Sequence, residues 1–288
     1  MRDSEEMAIQ KTFRLGGDLN VNRLGFGAMR ITGKGIWGEP SDAGEAKRVL
    51  RRAVELGVNF IDTADSYGPE VSERLIGETL APHPKGLVIA TKGGLTRQGP
   101  DKWSPVGRSE YLIQEVEMSL RRLRTETIDL WQLHRIDPKT PVEESLEAIA
   151  KLQKEGKIRH IGLSEVKPAE IDQARKVATI VSVQNLYNVG DRHHEDVLQY
   201  CEREKLAFIP WFPVAAGKFA RPGGVLDTMS KRHGATMAQL SIAWLLHRSP
   251  VMLPIPGTSS VDHLEENMRA ADVTLSDAEM NEIEEAAR

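Results

Sequence analysis

Three observations predict an α/β fold, a (β/α)8 barrel of the TIM type. Short apolar runs alternate with amphipathic runs eight times between residues 24 and 270. The short runs are almost continuously apolar rather than alternating, as expected of parallel strands covered on both faces by helices. Side chains able to do chemistry stand at the C-terminal ends of several strands in turn, where a barrel gathers its active face. A doubly wound open sheet, the competing architecture, would cluster them at one switch point. The length, 288 residues, suits one barrel of about 250 residues with additions, so residues 1–288 read as a single domain.

The elements follow in order. LGFGAM (24–29) leads to a helix from Ser41 to Leu56, whose Val49, Leu50, Ala53, Val54 and Leu56 form one apolar stripe and which Gly57 stops. NFIDTA (59–64) precedes SERLIGETL, and LVIATK (87–92) precedes SEYLIQEVEMSLRRL, with Ser109 as the expected N-cap. IDLWQLH (128–134) leads to a helix opened by Pro141 and closed by Gly156. HIGLSE (160–165), IVSVQN (180–185), LAFIPW (206–211) and MLPIPG (252–257) precede KPAEIDQARKVA, HHEDVLQYCEREK, ATMAQLSIAWLLH and SVDHLEENMRA. Two parts lie outside the repeat. TFRLGGDLNVNR (12–23) reads as an N-terminal β-hairpin turning at Gly16-Gly17-Asp18 and closing the barrel bottom. Residues 276–287 read as a C-terminal extra helix capped by Ser276.

Composition narrows the function. Hydrophobic residues make up 40% and charged residues 28%, which argues against disorder, collagen-like repeats and coiled coil. With 38 basic and 42 acidic residues the net charge is −4, so there is no positive field to recruit nucleic acid or an anionic membrane. The single cysteine, Cys201, permits no internal disulfide and reads as a small core residue of a helix. The start MRDSEEMAIQ has acids where a leader would carry bases, and AFIPWFPVAA is far shorter than the ~20 residues of a membrane span, so a cytoplasmic protein is expected. No metal is expected: His193 and His194 would face different directions on a helix, and no acid–histidine pair has zinc-site spacing.

Four strand-end residues carry the chemistry. Asp62 and, slightly further on, Tyr67 follow the second strand, Lys92 ends the third and His134 ends the fourth. An acid, a phenol, an ammonium and an imidazole converging on one spot can deliver or remove a proton at a hydroxyl or carbonyl oxygen. Tyr67 is the expected proton donor, with Lys92 lowering the phenol's pKa and Asp62 keeping Lys92 charged. His134 would orient the substrate oxygen or share the proton.

At this point the sequence resembles the aldo-keto reductases from about Asn22 to Ala270. LGFGAMR, NFIDTADSYG, ATKGG, DLWQLH, HIGLSE, VQNLYN and IPGTSSVDHLEEN are similar to that family's segments and stand in its order. The resemblance implies that Asp62, Tyr67, Lys92 and His134 are a catalytic tetrad and that the cofactor is NADPH, extended across the barrel mouth. NRLGFGAM, the Gly-Pro after Tyr67, AWLLHRSP and IPGTSSVDHLEEN carry a closer likeness to small bacterial members that reduce pyridoxal, so pyridoxal is an expected substrate among aldehydes and ketones.

The same resemblance implies the cofactor contacts. Ser164, Glu165 and Gln184 fall where the nicotinamide carboxamide is held, and Trp211 where an aromatic ring stacks on the nicotinamide. Family members often carry Asn at the place of Glu165, and an ionised Glu can only accept hydrogen bonds. Gly27, Met29, Asp62, Phe212, Val214, Gly217 and Lys218 complete that end. Gly257, Thr258, Ser259 and Ser260 bring N–H and hydroxyl groups to a helix start, a favourable place for phosphate. His263, Glu266 and Asn267 follow, the last two matching residues that recognise adenine. Where many NADPH-selective members carry Lys and Arg, this chain has Gly257 and His263, so NADH stays open beside NADPH, with Lys218 or Arg221 placed to compensate.

Gly33 to Gly38 spells G-x-G-x-x-G, but Glu39-Pro40 separate it from the helix, so it reads as a flexible loop and not a pyrophosphate turn. Trp37 and Trp103 join Tyr67 and His134 as expected pocket walls for the substrate. Two other functions compete: a Schiff-base aldolase acting through Lys92, and a cofactor-sensing partner subunit without turnover. The expected assembly is a monomer or weak oligomer.

Overall fold

The structure, a computed structural model, describes residues 10–214 and 222–286. Thr12–Leu15 (β1) and Leu19–Asn22 (β2) form the N-terminal hairpin, with Thr12 opposite Asn22 and Leu15 opposite Leu19. Phe26–Gly27 (β3), Phe60–Asp62 (β4) and Val88–Gly93 (β5) then begin a parallel sheet. A small antiparallel hairpin, Leu95–Arg97 (β6) with Trp103–Pro105 (β7), follows β5. The sheet continues through Ile128–Leu133 (β8), Ile158–Ser164 (β9), Ile180–Gln184 (β10) and Ala207–Phe208 (β11).

The eighth segment closes the ring without forming a regular ladder. Phe208 N–H donates to Val251 O (2.9 Å) and Leu253 N–H to Phe208 O (2.8 Å) on one side. On the other, Gly25 N–H donates to Pro254 O (3.0 Å) and Gly27 N–H to Pro256 O (3.3 Å). Pro254 and Pro256 have no N–H, so this seam uses their carbonyls only. An open doubly wound sheet is thereby excluded.

Helices cover the ring: Ala43–Glu55 (α1), Val71–Leu80 (α2), Ser109–Leu123 (α3), Val142–Lys154 (α4), Pro168–Arg175 (α5), Glu195–Glu204 (α6), Val225–His233 (α7), Met237–Arg248 (α8), Val261–Met268 (α9) and Asp277–Ala286 (α10). The α1 stripe of Ala46, Val49, Leu50 and Ala53 packs on the outward side chains Ile61 and Ile89. The inward side chains Phe60, Val88, Ala90 and Leu130 fill the barrel, and Leu15, Leu19 and Val21 of the hairpin join that cluster from below. This is the period of two at work: Val88, Ala90 and Lys92 share one face of β5, and Leu130 and Gln132 share one face of β8. Apolar residues therefore occupy the middle of the barrel, and the same inward register delivers polar ones at its top.

Several local expectations change. α1 begins at Ala43 rather than Ser41, capped by the Asp42 side chain, and Ser109 is the first residue of α3 rather than its cap, its hydroxyl donating to Glu144 O. His193 and His194 precede α6, and their rings touch at a centroid distance of 3.9 Å instead of diverging on a helix. One helix was expected after the seventh strand, whereas α7 precedes α8 there. Ser276 caps α10 reciprocally with Glu279, and Cys201 is fully buried with burial pushing its thiol up. Among the described residues no helix is long and apolar enough to cross a membrane, and no metal-ligating cluster of three occurs.

Candidate active site

The C-terminal ends of β4, β5 and β8 bring Asp62, Lys92 and His134 together, and the turn after β4 returns Tyr67 over them. Lys92 is completely buried, and its Nζ donates to Asp62 Oδ2 (2.6 Å), Thr63 O (2.8 Å) and Tyr67 Oη (3.4 Å). Asp62 Oδ1 accepts from Gln184 Nε2 (2.8 Å) and Gln132 Nε2 (3.2 Å), so the carboxylate is fixed from three sides. The Tyr67 ring meets His134 edge-on at 5.9 Å and Trp103 at 6.4 Å. Ser66 Oγ lies 3.3 Å from His134 Nδ1 and sets that ring's orientation.

Burial corrects one electrostatic expectation. Lys92 does pull the Tyr67 phenol down, but desolvation pushes it up more strongly and Asp62 adds to the rise, so the net shift is upward. For Lys92 burial works against the charge, yet Asp62 and Tyr67 outweigh it and hold the ammonium above the ordinary lysine value. His134 is pushed well below the usual imidazole value by burial and by Lys92, Arg135 and Arg97, so it is neutral at neutral pH. With Nζ donating to three oxygens beside Asp62, Lys92 is a charged donor and not the free amine an aldolase needs.

These groups open into a cavity of about 760 Å³. Gly27, Met29, Asp62, Tyr67, Trp103, His134, Ser164, Gln184, Trp211, Phe212, Val214 and Gly257, all picked out from the sequence, line it. Gly27 and Gly257 face each other so closely that a Cβ at either would lie 2.6 Å from a carbonyl oxygen across the closing seam. Any side chain at 257 would need that backbone to shift, and the glycine avoids this. Arg30 lies over the spot, its Cγ 3.6 Å from where a Gly257 Cβ would be.

Other expected contacts lie elsewhere. Glu165 turns its Oε1 to Leu186 N–H (2.7 Å) and Trp211 Nε1–H (2.6 Å), so it fixes the Trp211 ring. Thr258 Oγ1 accepts from Ser260 N–H (3.1 Å), with Ser259 between them, at the start of α9, where Glu45 Oε1 already takes the Val261 N–H (3.0 Å). His263 is exposed, 3.6 Å from Glu266, and Asn267 is buried in α9. Gly217, Lys218 and Arg221 fall outside the described residues.

Two arginines escaped the sequence reading. Arg97 of β6 spends its donors on five backbone carbonyls: Gly35 and Ile36 in the first loop, Ser66 beside Tyr67, and Gly99 and Lys102 in its own hairpin. Its guanidinium also stacks 3.5 Å over the Trp103 ring and lies 5.6 Å from that of Trp37, which is exposed beside this arginine and, against expectation, does not line the cavity. The Gly33 to Gly38 segment is therefore pinned, not flexible. Arg135 follows His134 directly and also lines the cavity. The strand-end argument that selected His134 could have found it.

Beneath the Tyr67 turn, Asp65 is buried, and neither carboxylate oxygen has a hydrogen-bond partner among the described residues. Burial first, then Glu73 and Glu115, push its pKa well above the usual carboxylate value. The folded state thus holds a proton that the unfolded chain has released, and stability falls as pH rises above the unfolded value of ~3.9. Asp65→Asn is expected to melt a few degrees above the wild type at about pH 8, the gain shrinking towards about pH 5. A gain that grows on acidification would contradict the assignment.

A closed barrel whose mouth holds a buried Lys–Asp pair beneath a phenol and a neutral imidazole is a scaffold for moving a proton at an oxygen atom. The chain belongs to the aldo/keto reductase family, whose pattern matches residues 23–288. It is 56% identical over 272 residues to an uncharacterized oxidoreductase of Schizosaccharomyces pombe, covering 94% of this chain and 89% of that one. It is 41% identical over 283 residues to pyridoxine 4-dehydrogenase of Escherichia coli, covering 96% and 98%. An aldo-keto reductase from Klebsiella pneumoniae, solved in complex with NADPH, superposes with a TM-score of 0.82 at 26% identity over 96% of this chain and 95% of that one.

Proposed function

We propose that this protein is an NADPH-dependent reductase of aldehydes or ketones, with pyridoxal as its leading candidate substrate. The observation that carries the reading is the Lys92 Nζ to Tyr67 Oη contact of 3.4 Å at the floor of a largely apolar cavity. Family membership, the NADPH complex of the Klebsiella relative and the pyridoxine 4-dehydrogenase relative support the cofactor and the substrate in turn.

The residues fit the cofactor. Gln184 commits its amide N–H to Asp62, and its Oε1, with no donor among the described residues, is left to accept from a carboxamide. Ser164 lies beside it on the cavity wall, and Trp211, fixed by Glu165, offers a ring face. The bare backbone of Gly27 and Gly257 leaves room for the rest of an extended molecule, and Arg30 stands where it can meet phosphate. NADPH, when bound, supplies the hydride to the carbonyl carbon. Tyr67 then gives its proton to the carbonyl oxygen, neutral His134 orients that oxygen, and Lys92 stabilises the phenolate that remains. The raised phenol value keeps Tyr67 protonated until the oxygen becomes basic.

The test is loss of NADPH absorbance against an aldehyde panel containing pyridoxal, with NADH run in parallel. Turnover that favours NADPH and pyridoxal is expected. Tight cofactor binding without turnover of any member would assign the protein to cofactor sensing instead.

A further inference from the structure

The cavity holds a cation that proton transfer does not use. Arg135 Nη1 donates to His134 O (2.6 Å) and Ser164 Oγ (3.1 Å). A guanidinium has five N–H donors, so those on Nε and Nη2 remain, and none meets an acceptor among the described residues. No carboxylate among the described residues lies within 4 Å of it; burial works against its charge, and the more distant Glu165 favours it. Glu165 is committed to Leu186 and Trp211.

The other cations nearby have partners or lie apart. Lys92 is bound to Asp62, Arg97 to five carbonyls, and Arg30 stands exposed on the rim over Gly257. Leu95, Trp103 and Phe212 give the cavity an apolar wall. A half-buried guanidinium with unspent donors in such surroundings is a site for an anionic oxygen, which it can hold through two parallel hydrogen bonds.

We propose that Arg135 selects carbonyl substrates that carry an anionic oxygen, a carboxylate, phosphate or phenolate, docking that group while the carbonyl faces Tyr67 and His134. The inference rests on the reductase reading and narrows its substrate class. The phenolate of pyridoxal, next to its aldehyde, is one such oxygen.

Three pairs differing in the anionic group test it: 3-hydroxypyridine-4-carbaldehyde against pyridine-4-carbaldehyde, pyridoxal 5′-phosphate against 5′-deoxypyridoxal, and 3-carboxybenzaldehyde against benzaldehyde. The ratio of kcat/KM within each pair is measured for the wild type, Arg135→Met and Arg135→Lys. A preference on the order of 10- to 100-fold for the anionic member of at least one pair is expected, collapsing in Arg135→Met and partly kept in Arg135→Lys. The pair that responds identifies the anionic group. A purely structural role would lower both members of a pair alike and leave the ratio unmoved. Turnover of neutral aldehydes with ratios near unity, or a ratio that survives Arg135→Met, overturns the anion site alone. Absence of turnover throughout overturns the reductase reading with it.

Discussion

Tyr67→Phe is expected to lower kcat by about 10²–10⁴-fold, the range that a positioned general acid contributes, while NADPH still binds. The substitution removes one oxygen, the one 3.4 Å from Lys92 Nζ. The ring remains edge-on to His134 and Trp103, so the cavity keeps its walls. Steady-state reduction of pyridoxal and quenching of tryptophan fluorescence by NADPH separate the two quantities. Activity within a few-fold of the wild type would remove Tyr67 from the role of proton donor.

Lys92→Met is expected to abolish activity and also to destabilise the fold by about 3–5 kcal/mol, the cost of leaving one member of a buried ion pair without the other. Lys92 and Asp62 have side chains only 0% and 2% exposed, so water cannot take the place of the lost ammonium. Gln132 and Gln184 would still donate to Asp62, but amide dipoles do not neutralise a charge. The double variant Asp62→Asn with Lys92→Met should recover part of the stability and none of the activity. Denaturant unfolding of the single and double variants measures this. Equal stability of the two would show that the pair is not held as a buried charge couple.

The eight-unit alternation was legible because strands buried on both faces must be apolar throughout, and the inward register then carried Lys92 to the mouth without further information. The closing segment could be foreseen from MLPIPG, though not its carbonyl-only seam. The β6–β7 hairpin could not be foreseen. Its strands are three residues long and LTRQGPDKWSP has neither helical nor alternating periodicity, so nothing marks a pairing set by the Arg97 contacts. Those contacts end on backbone carbonyls, which every residue possesses and no motif reveals. The sign of the Tyr67 shift was missed for a related reason: the attraction to Lys92 follows from residue types, but depth of burial depends on how the loops cover the site.

Because Arg97 joins the first loop, the Tyr67 turn and its own hairpin through one planar group, the rim behaves as a single machined part. Transplanting the hairpin from a relative would uncouple the Tyr67 turn from its neighbours unless the graft brought its own guanidinium to the same carbonyls. Diversification of such a mouth is easier by exchanging side chains in place, at cavity-lining positions such as Trp103 or Arg135, than by changing loop length. The mouth of this barrel is therefore a fixed frame on which side chains can be exchanged one at a time.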